Sequence, residues 1–262
     1  MFKEFVESFR TIKKRPGLFA LNSLVDFVFM LLFGMVYFFF VIGIMDKINS
    51  LSGAVTKDML QNVQPAENVF GMLLQVPSLS PQIGFIISML IYFVLALFFV
   101  WVVMQSISWW LSFRINKIKI NFFRHLAVFA LHSAVWWALF LLIVYTFFRI
   151  SFHNILYSVS GSLITIITCI LLVLLAYFEL ASYSVHGRFR EIMKKLFNAT
   201  IKKAHLLLLA YLIILVLFAA VYLISWGIFN LNTIAGLVAG IILTTLAITF
   251  SRIYLIKTLD RF

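Results

Sequence analysis

Residues 15–33 read RPGLFALNSLVDFVFMLLF, and residues 124–142 read RHLAVFALHSAVWWALFLL. Each leaves a basic patch through nearly the same pentapeptide, Phe19-Ala20-Leu21-Asn22-Ser23 or Phe129-Ala130-Leu131-His132-Ser133, and runs on into long apolar sequence. An apolar block of about 20 residues is long enough to cross the hydrocarbon layer as a helix. The first block, residues 18–45, exceeds that length, so the fold class turns on how many others there are.

Five more qualify, which gives expected spans at 18–45, 83–111, 126–148, 163–185, 204–226 and 233–256. Only helices satisfy their own backbone in lipid without closing into a barrel, and the blocks lack the alternation of barrel strands. Composition agrees: 64% of the 262 residues are hydrophobic and 11% charged, where a soluble domain carries about 25% charge. The first block is too long for the core of a signal peptide and no small-residue cleavage site follows it, so it is expected to be a retained span. The single cysteine, Cys169, excludes an internal disulfide and a thiolate cluster, and its apolar surroundings suggest inert packing.

The net charge of +12 would suggest nucleic acid in a soluble protein, but here its distribution is topological and no nucleic-acid partner is expected. Eighteen of the 21 cations lie before the first span, between the second and third, between the fourth and fifth, or at the end of the sixth. Lys47, Lys57 and Arg149 alone fall on the other side. Cations collect on cytoplasmic segments, where anionic headgroups attract them. Both termini are therefore expected in the cytoplasm, and the location is expected to be the cytoplasmic membrane.

That arithmetic answers why one chain begins two stretches alike. Each basic segment precedes an outgoing span, an outer turn and a returning span. The reading is an all-α polytopic membrane protein: one domain, residues 1–262, of six transmembrane helices in three consecutive hairpins, with amphipathic cytoplasmic interfacial helices. The pentapeptides sit at equivalent points of the first two hairpins, and the third fits loosely at Leu209-Ala210-Tyr211. Duplication and chance both account for a match of four residues in five.

The lead-ins 1–17 and 187–203 repeat apolar residues at helical spacing. Phe2, Phe5, Val6, Phe9 and Ile12 do so in the first, and Phe189, Ile192, Met193, Leu196, Phe197 and Ile201 in the second. Such helices lie in the headgroup plane with the apolar face in the acyl boundary; a cytosolic docking surface is the alternative. Pro16-Gly17 is expected to break the first from its span. Arg10, Lys14, Arg15, Arg188, Arg190, Lys194 and Lys195 are the candidate contacts to lipid or partner. The outer loop 46–82, with a short helix expected at 56–63, is too apolar for a free tether and is expected to cover the bundle mouth.

Ionisable residues inside a span cost about 3 kcal/mol each on insertion scales and call for a partner or a function. Asp26 lies about two turns into the first span, with Asn22 one turn before it on the same face. Glu179 stands at similar depth in the fourth span; Ser182, Tyr183 and His186 continue its face. His132, with His125 on its face, occupies the same layer, and Gln105, Ser108, Thr245, Thr249 and Arg252 complete it. Two roles fit. One is a polar clasp in which a carboxylate pairs with His132 or Arg252 while hydroxyls bridge helices. The other is a cytoplasm-facing cavity in which Asp26 or Glu179 binds a cation or carries a proton. Gly236 and Gly240 form a GxxxG step for close helix packing. Trp109 and Trp110 suit the cytoplasmic interface, Trp226 the outer one.

No P-loop, dinucleotide fingerprint, zinc-protease spacing or GxSxG elbow occurs in the chain. No cofactor or metal is expected, and no enzyme, since no nucleophile adjoins either carboxylate. The expectation is a non-enzymatic membrane subunit or scaffold of a transport or envelope complex, docking anionic lipids and a protein partner or second copy through its basic face. The alternative is a small ion- or proton-coupled transporter or channel with a cavity around Asp26 and Glu179. The outer halves of the spans offer no continuous polar path, and no proline-broken helix marks a midplane site.

Overall fold

The computed structural model describes residues 2–54, 80–157, 161–187 and 189–260. Every regular element among them is helical: α1 (Phe2–Lys14), α2 (Pro16–Ala54), α3 (Ser80–Ile115), α4 (Phe122–Tyr157), α5 (Gly161–Tyr183), α6 (Phe189–Phe197), a π-helical segment (Asn198–Lys202), α7 (Ala204–Leu231) and α8 (Thr233–Leu259). Helices α2, α3, α4, α5, α7 and α8 are the six long and apolar enough to cross a membrane. In chain order they make three consecutive hairpins. The helix expected at 56–63 and most of the outer loop lie outside the described residues.

Several helices overrun their apolar blocks. Helix α2 continues past residue 45 to Ala54, and α4 past residue 148 to Tyr157. A helix satisfies its own backbone in water as in lipid, so hydropathy marks where a membrane can lie and not where the helix must stop.

The chain forms two compact units, residues 1–28 with 102–262 and residues 29–101. In the second, α2 and α3 run side by side: Phe29 lies 5.8 Å from Trp101, and Phe40 lies 5.6 Å from Phe93. In the first, buried side chains gather where the basic segments are. Leu111, Phe113 and Ile115 of α3 and the run from Thr249 to Ile256 of α8 are all buried. Leu139, Leu142, Leu212, Leu215 and Val216, farther along their helices, are exposed as lipid-facing residues would be.

The junctions explain themselves locally. Pro16 opens α2, where its missing N–H costs nothing, so Arg15 alone separates α1 from α2 and Gly17 belongs to α2. Helix α3 ends in a Schellman turn: Ile118 N–H donates to Phe113 O and Lys117 N–H to Arg114 O, both at 3.0 Å. Lys117 holds the left-handed position at φ 67°, where glycine is usual. Asn232 caps α8 by accepting from Ala235 N–H at 2.9 Å. One residue separates α7 from α8, and a Cβ on Gly236 would fall inside the backbone of Phe229. Gly236 thus closes the α7–α8 hairpin, while Gly240 meets only Ser225 at ordinary contact distance.

The lead-in helices do not present one apolar face to one neighbour. In α1 the most buried residues are Glu4 and Ser8. Phe5 packs on Phe250 and Tyr254 of α8, at 5.1 and 5.8 Å, whereas Phe2 is exposed. Lys257 of α8 fixes this seat, donating to Glu7 O at 2.7 Å and Thr11 Oγ1 at 2.6 Å. In α6, Ile192 and Leu196 are buried while Met193 and Phe197 are exposed, as is Ile201 in the π-helical segment. The lead-in expected as one helix over 187–203 passes into π geometry at Asn198, where Tyr177 Oη donates to Thr200 O at 3.2 Å.

Candidate functional site

Asp26 and Arg252 form the centre of the buried polar layer. Arg252 Nη1 lies 2.5 Å from Asp26 Oδ1 and 2.6 Å from Oδ2, and Nη2 donates to Gln105 Oε1 at 2.7 Å. Ser108 Oγ donates to Oδ1 at 2.6 Å and Thr249 Oγ1 to Oδ2 at 2.7 Å. Each carboxylate oxygen thus receives an arginine and a hydroxyl proton, and the Asp26 side chain is 1% exposed. The guanidinium carbon stands 5.6 Å from the ring centroid of Trp109. Two charges taken out of water need this degree of compensation, because desolvation otherwise exceeds their attraction.

One turn nearer the basic end the layer continues. Asn22 Nδ2 donates to Ser112 Oγ at 2.8 Å, and Ser23 Oγ to Thr249 Oγ1 at 3.2 Å. Asn116 Nδ2 donates to Ser112 O and Ile253 O, at 3.1 and 3.3 Å. These side chains bind α2, α3 and α8 into one polar seam.

Glu179 belongs to a different group. Tyr183 Oη, one turn on, stands 2.9 Å from Glu179 Oε1 and 2.9 Å from Ser133 Oγ of α4. Trp136 Nε1 donates to Ser182 Oγ at 2.9 Å, and the Tyr183 ring stacks on Phe129 at 4.5 Å. His132 is buried with Nδ1 2.8 Å from Val128 O. The expected layer is therefore two groups: Asp26, Asn22 and Arg252 in one, Glu179 and His132 in the other.

The two pentapeptides are used alike. Leu21 and Leu131 are exposed; Asn22, Ser23, His132 and Ser133 are buried. The position of Asp26 corresponds to Trp136, and each bonds a serine of the returning helix, Ser108 or Ser182. One helical turn on from those serines are Ser112 and His186. The first hairpin closes there with the Asn22–Ser112 bond, whereas the second holds a cavity of about 210 Å³ lined by His132 and His186.

Two expectations need correction. Trp109 is 1% exposed beneath Arg252, so it belongs to the polar core and not to an interfacial belt. Cys169 is exposed on α5 and is not a packing residue. Arg15 Nη1 donates to Arg114 O at 2.6 Å. Arg10, Lys14, Lys194 and Lys195 are exposed. Arg188 lies outside the described residues, and only the backbone of Arg190 is described. Ser112, Asn116 and Ser133 were missed as bonding partners; their position among buried apolar residues was the available signal. Among the described residues no group of acidic, histidine or cysteine side chains is arranged to hold a metal. The sequence matches no protein-family model, no curated protein and no solved structure.

Proposed function

We propose that the chain is a non-enzymatic membrane subunit or scaffold of a transport or envelope complex, built to hold a basic face at the cytoplasmic surface of a cell membrane. The observation that carries this reading is the closure of Asp26. A carboxylate that exchanges cations or protons needs free coordination, and both oxygens of Asp26 are occupied by Arg252, Ser108 and Thr249. That arrangement suits a clasp that keeps α2, α3 and α8 in register. The distribution of cations supports cytoplasmic termini. Exposed Phe2, Met193, Phe197 and Ile201 give α1, α6 and the π-helical segment apolar contacts for the acyl boundary. The cations beside them attract anionic headgroups and leave a surface for a protein partner or a second copy.

A second reading has one observation in its favour. Glu179 meets the Tyr183 hydroxyl and, among the described residues, no cation. A carrier whose polar path passes Glu179 would use such a group.

Reconstitution separates the two. The scaffold reading expects no ion or proton flux from the purified chain in sealed vesicles, together with stable retention of one specific protein in mild detergent. Flux by the isolated chain, abolished by Glu179→Gln in a variant that still folds, would establish the carrier instead.

A further inference from the structure

We propose that the cavity between α4, α5 and α6 binds the phosphate group of an anionic ligand. The proposal deepens the reading of a headgroup-binding basic face and rests on it.

The chemistry of the lining selects the ligand. Lys119 and Arg124 stand exposed at the rim, and among the described residues neither pairs with a carboxylate. No acidic residue is among those lining the cavity, and Glu191 Oε2 lies at its edge against Gly187. Asn121 caps α4 by accepting from Arg124 N–H at 3.2 Å, so the first turn of that helix, with its positive end, borders the same space. His186 adds a ring nitrogen that can donate to phosphate oxygen, while the Nδ1–H of His132 is held by Val128 O. Deeper in, Val128, Phe129 and Ile192 supply an apolar wall. Lysine and arginine with helix N–H groups are the usual partners of phosphate, and a cation-rimmed hollow disfavours cationic ligands.

Size and place narrow the class. At about 210 Å³ the cavity is smaller than the ~300–1,000 Å³ of pockets for drug-sized ligands, so it takes a headgroup and not a whole amphiphile. At the equivalent place in the first hairpin stands the Asn22–Ser112 bond. Gly187 lines the cavity at φ 147°, where a Cβ would meet Glu191 Oε2 at 2.9 Å, so glycine lets the α5–α6 link close beside that side chain. A phosphate at this depth can come from a membrane lipid or from a soluble phosphate ester, and the experiment distinguishes them.

The full chain is purified into nanodiscs of phosphatidylcholine with or without phosphatidic acid, and retained lipid is counted by native mass spectrometry. Parallel samples in detergent are titrated with glycerol 3-phosphate. Lys119→Gln and Arg124→Gln change exposed rim residues and leave the fold intact; each is expected to weaken binding about tenfold. Val128→Phe, which narrows the cavity without altering charge, is expected to do the same, while Arg149→Gln near the other end of α4 leaves binding unchanged and Lys13→Gln/Lys14→Gln removes basic-face cations of α1 outside the cavity. Loss of phosphatidic acid in the rim and Val128 variants supports the proposal with a lipid source. The same pattern for glycerol 3-phosphate alone supports it with a soluble source. Phosphatidic acid retained equally by the rim variants but lost in the α1 variant overturns the cavity while sustaining the basic-face reading. Absence of both ligands from the wild-type chain overturns the cavity and the lipid-docking reading together.

Discussion

Arg252 Nη1 and Asp26 Oδ1 stand 2.5 Å apart across 226 positions of sequence. Their contact links the first and last transmembrane helices, and the hydroxyls around them decide how much each bond is worth. A hydrogen bond to a charged group contributes about 1.5–3 kcal/mol, whereas interhelical side-chain bonds in membranes average about 0.6 kcal/mol. Ser108→Ala removes a donor to a carboxylate and Ser133→Ala a neutral hydroxyl pair. Unfolding titrations in detergent should find Ser108→Ala the more costly, by about 1–2 kcal/mol.

Gly236 and Gly240 should respond differently to alanine although they share one motif. A Cβ at 236 meets the Phe229 backbone, which cannot move aside; a Cβ at 240 finds Ser225 at 3.6 Å. Gly236→Ala should destabilise by about 1–3 kcal/mol through overpacking. Gly240→Ala should be neutral or stabilising by up to about 1 kcal/mol, since alanine is the better helix former. Melting temperatures in one detergent compare them directly.

Lys117 holds a left-handed backbone that costs a non-glycine residue about 1–2 kcal/mol. Glycine relieves that strain but adds about 0.4–1 kcal/mol of unfolded-chain entropy. Lys117→Gly should therefore raise stability by about 0.5–1 kcal/mol, visible as a higher melting temperature. Lys117→Val should lower it, because a β-branched side chain fits that conformation worse.

Burial lowers the proton affinity of His186 below the ordinary histidine value of 6.5; nearby Lys195 lowers it further and Asp260 opposes. As pH falls through about 6.5 the unfolded chain takes up a proton there and the folded chain does not, so unfolding is favoured by acid. This contribution to stability is complete above the unfolded value and is lost as pH drops toward the folded one. Thermal melts at about pH 8 and about pH 5 should show a smaller loss in His186→Gln than in the wild-type chain. Equal losses in both proteins would remove His186 from the account.

Hydropathy alone located the spans because lipid imposes a length on apolar helices. Ala204 and Thr233, expected to begin the last two spans, are the first residues of α7 and α8. The polar residues of the seam were also legible, since each is costly among apolar neighbours. Which of them meet was not. Arg252 and His132 were equivalent partners for Asp26 until the packing of α8 against α2 brought Arg252 alone to it. Trp109 looked interfacial because a tryptophan near a span end reads the same whether it faces lipid or core. The cavity beside His132 left no trace, for nothing in a sequence records where neighbouring side chains fail to fill space.

The Asp26–Arg252 clasp is tested most directly by a double-substitution cycle read as unfolding free energy in detergent. Arg252→Met leaves a buried carboxylate without its cation and Asp26→Leu a buried cation without its carboxylate, so each alone should cost about 3–5 kcal/mol. The double variant, with neither charge, should recover most of that loss. Single variants as stable as the wild-type chain, or costs that simply add in the double variant, would contradict the clasp and reopen Asp26 as a site of exchange.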